Sequence, residues 1–193
     1  MKKLFFIALF VVGANIVTAS CQLQAKSSVE QLVHIMMRDA NHEAPYQLFK
    51  HRSPNDYQEV YDLVIKHPEL MQGIIQDGRT FAMLCVERGY ADLLAQLINE
   101  NCLIDLATPC NMCGPHNPQT TVLHKLFGQV RSMNWHWLKN AFPEDYIADI
   151  TDLTKLIINK YPDLLDMKID REQTARECAW DWNVAYLIPR IKS

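Results

Sequence analysis

The sequence predicts an all-α chain, folded as a helical-repeat solenoid with two long insertions. Three observations lead to that class. Apolar residues recur at three- and four-residue spacing along most of the chain, no stretch sustains the apolar–polar alternation of a strand, and one helix–proline–loop–threonine–helix unit occurs twice. With 193 residues, 49% hydrophobic and 21% charged, the chain can bury a core and is expected to form one domain after its leader. Six glycines and nine prolines are too few for a linker-rich protein.

The elements follow in order. Ser27-Ser28-Val29-Glu30 has the spacing of a capping box, in which a hydroxyl and a glutamate satisfy the orphan amides of a helix start. Val29, Leu32, Val33, Met36 and Met37 then fall on one helical stripe. A second helix is expected after Ala44-Pro45, around Leu48 and Phe49. A third begins at Ser53-Pro54, a cap followed by proline in the first turn, and carries Tyr57, Val60, Tyr61, Val64 and Ile65. It must stop near His67, because Pro68 disfavours helix at the residue before it. Shorter helices are predicted over roughly 80–88, 90–100, 121–130, 145–160 and 174–186.

The internal repeat decides the architecture. Leu63-Val64-Ile65-Lys66-His67-Pro68-Glu69-Leu70-Met71 aligns with Ile157-Ile158-Asn159-Lys160-Tyr161-Pro162-Asp163-Leu164-Leu165, bringing Pro68 onto Pro162. Twelve residues beyond each proline stands a threonine, Thr80 or Thr174, and each opens another helix. A helical unit that recurs buries its apolar face on its neighbours, which is how a solenoid builds a continuous core.

These units resemble those of ankyrin-repeat proteins, which begin Gly-x-Thr-Pro-Leu-His-x-Ala, form two antiparallel helices and end in a projecting loop. Asp77-Gly78-Arg79-Thr80 opens one such unit, Gly89 falls where the family places the glycine between its helices, and Leu93, Leu94, Leu97 and Ile98 supply the second stripe. Thr121-Val122-Leu123-His124 is close to the Thr-Pro-Leu-His signature. Thr174-Ala175-Arg176-Glu177-Cys178-Ala179 is similar to a terminal unit, and Ala44-Pro45-Tyr46-Gln47-Leu48-Phe49 to a weak first one, so the resemblance covers about residues 40–190 in about four units. It implies a protein-binding scaffold without catalysis. It also implies that His124 ties its turn to neighbouring units by hydrogen bonds, that Cys85 and Cys178 fill small core positions, and that Trp180 and Trp182 cap the end of the stack. Two features depart from the family. Thr80 to Thr121 is 41 residues and Thr121 to Thr174 is 53, against a repeat of about 33. The surplus falls in a Cys/Pro loop at about 102–120 and an aromatic segment at about 128–149, and Glu172 stands where the last unit should have its opening glycine.

The first twenty residues read as a secretory signal peptide. Lys2 and Lys3 precede the apolar run Leu4 to Val12, and Thr18-Ala19-Ser20 supplies small residues for cleavage. The run is short for a membrane span, which needs about 20 apolar residues. Cleavage after Ser20 leaves Cys21 first; the small-small-Cys ending resembles the lipobox of bacterial lipoproteins, which makes Cys21 a lipidation candidate, with Thr18 departing from its usual leucine. The predicted layout is a signal peptide over 1–20, a flexible segment over 21–27 and the repeat domain over 28–193, with the chain exported to periplasm, envelope or exterior. Membrane attachment is expected only through a lipid at Cys21.

Export makes a disulfide the default partner of a thiol. Cys110-Asn111-Met112-Cys113, followed by His116, admits three chemistries: a disulfide loop using Cys102, Cys110 or Cys113, a tetrahedral zinc site of Cys102, Cys110, Cys113 and His116, or redox exchange. Redox exchange fits least, because Pro109, Pro115 and Pro118 bracket a loop rather than the helix start that lowers a thiol pKa.

A net charge of −3, from 19 Lys+Arg against 22 Asp+Glu, argues against a nucleic-acid partner. There is no phosphate loop, nucleophile elbow or zinc helix, and no cofactor is expected. Asp163/Asp166 and Glu144/Asp145 are carboxylate pairs beside helix starts, where such charges ordinarily complement the dipole. The segment from Met133 to Tyr146 is the candidate partner anchor. Trp135, His136, Trp137, Lys139, Phe142 and Tyr146 gather aromatic side chains of the type that dominates protein interfaces. Its rival reading is a small core of the insertion's own. Three functions therefore stand: a binding module for another protein, a metal or thiol-redox protein built on the Cys110/Cys113 loop, and an enzyme whose site would need a pocket gathering His116, His136 or carboxylates.

Overall fold

The computed structural model describes residues 27–37, 54–111, 119–133, 144–168 and 173–189. The expected leader with Cys21, the expected helix around Leu48 and Phe49, and the expected loop bearing Cys113 and His116 lie outside the described residues. So does the stretch 134–143 with Trp135, His136, Trp137, Lys139 and Phe142.

The chain is mostly helical, with α1 (residues 27–37), α2 (Pro54–Lys66), α3 (Phe81–Arg88), α4 (Ala91–Asn99), α5 (Val122–Met133), α6 (Glu144–Lys160) and α7 (Ala175–Asp181). Helix α1 places Leu32, Ile35 and Met36 in the core. Helix α2 carries Asp56 in its first turn and Lys66 in its last, each on the side its dipole favours. It ends as Pro68 requires: the His67 amide closes on the Leu63 carbonyl at 2.9 Å, and a 3-10 turn over Pro68–Met71 then buries Leu70 and Met71.

Strand content differs from expectation. A ladder pairs β1 (Ile74–Gln76) with β2 (Arg79–Thr80), and a second pairs β3 (Cys110–Asn111) with β4 (Gln119–Thr120). In the first, Gln76 lies opposite Arg79 across Asp77 and Gly78, both at positive φ (49° and 77°), the signature of a two-residue hairpin loop. Each hairpin feeds directly into a helix. Thr80 caps α3, its Oγ1 accepting from the Met83 amide at 3.3 Å. Gly89 then ends α3 in the left-handed region at φ 68°, letting the Tyr90 amide reach back to the Cys85 carbonyl at 2.8 Å. Helix α4 begins two residues later and buries Leu93, Leu94, Leu97 and Ile98 along one face.

The helices lie in two rows. Helices α3, α5 and α7 pack side by side as one row. In the other, α4 packs on α6, and α2 is tied to α4 by Tyr57 Oη donating to Gln96 Oε1 at 2.6 Å and Tyr61 Oη to Glu100 Oε2 at 3.1 Å. Lys160, at the end of α6, donates to the Ile98 carbonyl at 2.6 Å and to Asn101 Oδ1 at 3.0 Å, placing a cation on the negative end of α4. Between the rows runs one core, with Phe81, Met83, Leu123, Leu126, Phe127, Ile150, Leu153 and Ile157 at most 1% exposed.

The first and last units obey the same rule, 94 residues apart. Where His67 and Leu70 bond back to Leu63 and His67, Tyr161 and Leu164 bond back to Ile157 and Tyr161 at 2.8 and 3.1 Å. Where Ile74 pairs with Thr80, Lys168 pairs with Thr174 in an isolated bridge. Thr174 caps α7 through the Glu177 amide at 3.2 Å, adding a complete capping box. The Val184 amide reaches Ala179 at 2.9 Å past Asn183, which stands at φ 57° where the first unit has Gly89. Asparagine is the non-glycine residue that tolerates this region best. Asn183 also explains why the last helix stops at Asp181 rather than running to 186: the chain turns and forms only a 3-10 turn over Ala185–Leu187. Gly89→Ala is expected to cost about 1–2 kcal/mol in urea denaturation, because alanine must be held left-handed, whereas Asn183→Gly should be near neutral.

Candidate interaction face

The row α3–α5–α7, with the hairpins that lead into it, holds His124 and the main ion pairs that join helices among the described residues. Thr121 and His124 are 1% exposed at the start of α5, with Thr121 Oγ1 2.7 Å from His124 Nδ1. Burial pushes the imidazole down to about 4, against a weaker opposing pull from the backbone of Gln173 in the next unit. The ring is therefore neutral at neutral pH and locked beneath the surface, so its place is in the turn between units.

Charge on this face is paired off. Glu87 of α3 receives Arg79 from the hairpin at 2.9 Å and Lys125 from α5 at 3.2 Å, and Asp77 adds a contact to Arg79 at 3.3 Å. Gln129 of α5 donates to the Val86 carbonyl of α3 at 3.0 Å, so one carboxylate and one amide bind neighbouring units together. The Glu87, Arg79 and Lys125 side chains are only 15–20% exposed, so removing the shared acid should leave two cations short of a counter-charge. Glu87→Ala is expected to lower stability by about 1–2 kcal/mol after allowing for solvent screening, a loss that added salt would reduce in a denaturation series. In the last unit Arg176 makes a two-pronged contact with Asp166 at 2.7 and 3.0 Å, which holds the Asp166 carboxyl below the usual range.

The remaining candidates fall as follows. Tyr146 lies in α6 and is 6% exposed within the core, so it is a packing residue rather than an exposed partner anchor. Its residue type made it look like an anchor; aromatic chemistry alone does not separate core from interface. Among the described residues no disulfide joins Cys85, Cys102, Cys110 and Cys178, and burial raises the thiol pKa of Cys102, Cys110 and Cys178, so these three are not poised as thiolates. Among the described residues no cluster of three metal-ligating side chains occurs, and no helix is long and apolar enough to cross a membrane. Trp182 packs over the core with the Arg131 guanidinium 5.7 Å from its ring centroid, whereas Trp180 is 69% exposed. Sequence reasoning missed this exposure, along with that of Ile74 at 62% and Leu103 at 75%.

Comparison with family models, with curated proteins and with solved structures gives no match to this chain.

Proposed function

We propose that this chain is an exported protein-binding module, an ankyrin-like stack of helix pairs that holds another protein through the α3–α5–α7 row, its hairpins and the aromatic segment around Trp135 and Trp137. The observation that carries the reading is the two-row stacking with its rule repeated over 94 residues. Helix, left-handed turn and hairpin-to-helix entry recur in register, and such an array presents a long face instead of a single pocket. The face suits binding better than acid–base chemistry: its histidine is buried and neutral, and its carboxylates Glu87 and Asp166 are already in ion pairs.

The decisive experiment is quantitative cross-linking in the native envelope, comparing the wild-type chain with Trp135→Ala and Trp137→Ala. A binding anchor predicts one or more proteins cross-linked to the wild type and depleted about tenfold or more in a variant, with thermal stability nearly unchanged. Equal cross-linking, or a fall in melting temperature with either substitution, would instead make the aromatic segment a core of its own.

A further inference from the structure

We propose that the open edge of the last unit, formed by Trp180 and Asp181 of α7 with Gln173 beside it, is a second docking surface, built to receive a basic amphipathic helix of another protein. The first unit shows what this edge is shaped for. There Val86 is fully buried beneath α5, its carbonyl taking Gln129, and Glu87 binds Arg79 within its own unit and Lys125 from the incoming helix. Ninety-four residues on, Trp180 replaces Val86, Asp181 replaces Glu87 and Gln173 replaces Arg79. The intra-unit contact is reproduced, with Gln173 Nε2 donating to Asp181 Oδ2 at 3.2 Å. Among the described residues α7 is the last helix of its row, and Trp180 beside Asp181 remains 69% exposed.

Charge selects the occupant. Glu87 is neutralised by two cations, but Asp181 has a neutral amide in place of the arginine and forms no ion pair among the described residues. Arg176 on the same helix is already held by Asp166. A helix whose apolar stripe covers the tryptophan and whose lysine or arginine lies one turn in, as Lys125 lies in α5, would satisfy both. A second copy of this chain fits poorly. Stacked tail to tail, it would set Asp181 against Asp181.

Helical peptides test this directly. The probe is the α5 segment of this chain, residues 119–133, held helical by a lactam on its solvent side, with Lys125 retained or changed by Lys125→Glu. Titrated into the full chain, the lysine peptide should bind about tenfold more tightly than the glutamate peptide. Trp180→Ala should weaken it by about tenfold or more, Asp181→Asn should abolish the preference, and Asp181→Lys should reverse it. These positions are exposed, so all three variants should melt like the wild type. Trp135→Ala and Trp137→Ala should leave peptide binding unchanged, which separates this surface from the aromatic segment. No binding by either peptide, equal binding of the two, or indifference to Trp180→Ala would overturn the proposal.

Discussion

Replacing Phe127 with alanine is expected to cost about 3–5 kcal/mol, the largest effect of any single truncation considered, because the site cannot collapse around the void. Phe127 is fully buried on α5, which packs on α3 to one side, α7 to the other and α6 behind. Removing the ring opens a void in the core that these helices share. For a domain of this size the loss should lower the melting temperature by about 10 °C, with Phe127→Leu costing much less because most of the volume is kept. Ile74→Ala is the matched control: that side chain is 62% exposed at a hairpin and should change stability by less than about 0.5 kcal/mol. Equal effects at the two positions in urea denaturation would mean that α5 is not the centre of the packing.

The second large effect is on acid stability. His124 is held neutral by burial, with its folded pKa pushed down to about 4 against about 6.5 in an unfolded chain. Between those values the unfolded chain binds a proton that the folded chain refuses, so stability rises with pH across the window and falls on acidification. Above about pH 6.5 neither state is protonated and the penalty is absent; below about pH 4 both are, and it reaches its full size, about 3 kcal/mol. The carboxylates of Asp166 and Glu177, both held low by their partners, act in a separate range, losing their contribution only as pH falls below about 4. His124→Asn, which offers an amide in place of the ring nitrogen facing Thr121, should flatten the curve between pH 4 and 6.5. A wild-type curve already flat there would show the imidazole to be hydrated.

Most of the helical framework was legible because it rests on residues with one strong backbone preference. Proline after serine starts α2, Pro68 stops it, and Gly89 closes α3. The alignment of 63–71 with 157–165 extends to individual hydrogen bonds, because a proline at the same place forces the same 3-10 exit. The hairpins were not read, since strands of two or three residues are too short to alternate; Asp77-Gly78 was the signal available for the first. Asn183 hid the end of α7, being unremarkable in composition and decisive only through its positive φ. Burial is a tertiary quantity, so Tyr146 and Trp180, alike as aromatic residues, went to opposite environments for reasons that lie in their neighbours.

Residue-resolved amide exchange on the intact chain tests the central structural claim, that the first and last units are built by one rule and stacked in two rows. Matched slow exchange is predicted at Leu70 and Leu164, at Tyr90 and Val184, and at Asp105, whose amide crosses between units to the Met71 carbonyl at 2.8 Å. Protection at Leu70 and Tyr90 with free exchange at Leu164 and Val184 would contradict it, leaving a repeat in sequence that is not a repeat in structure.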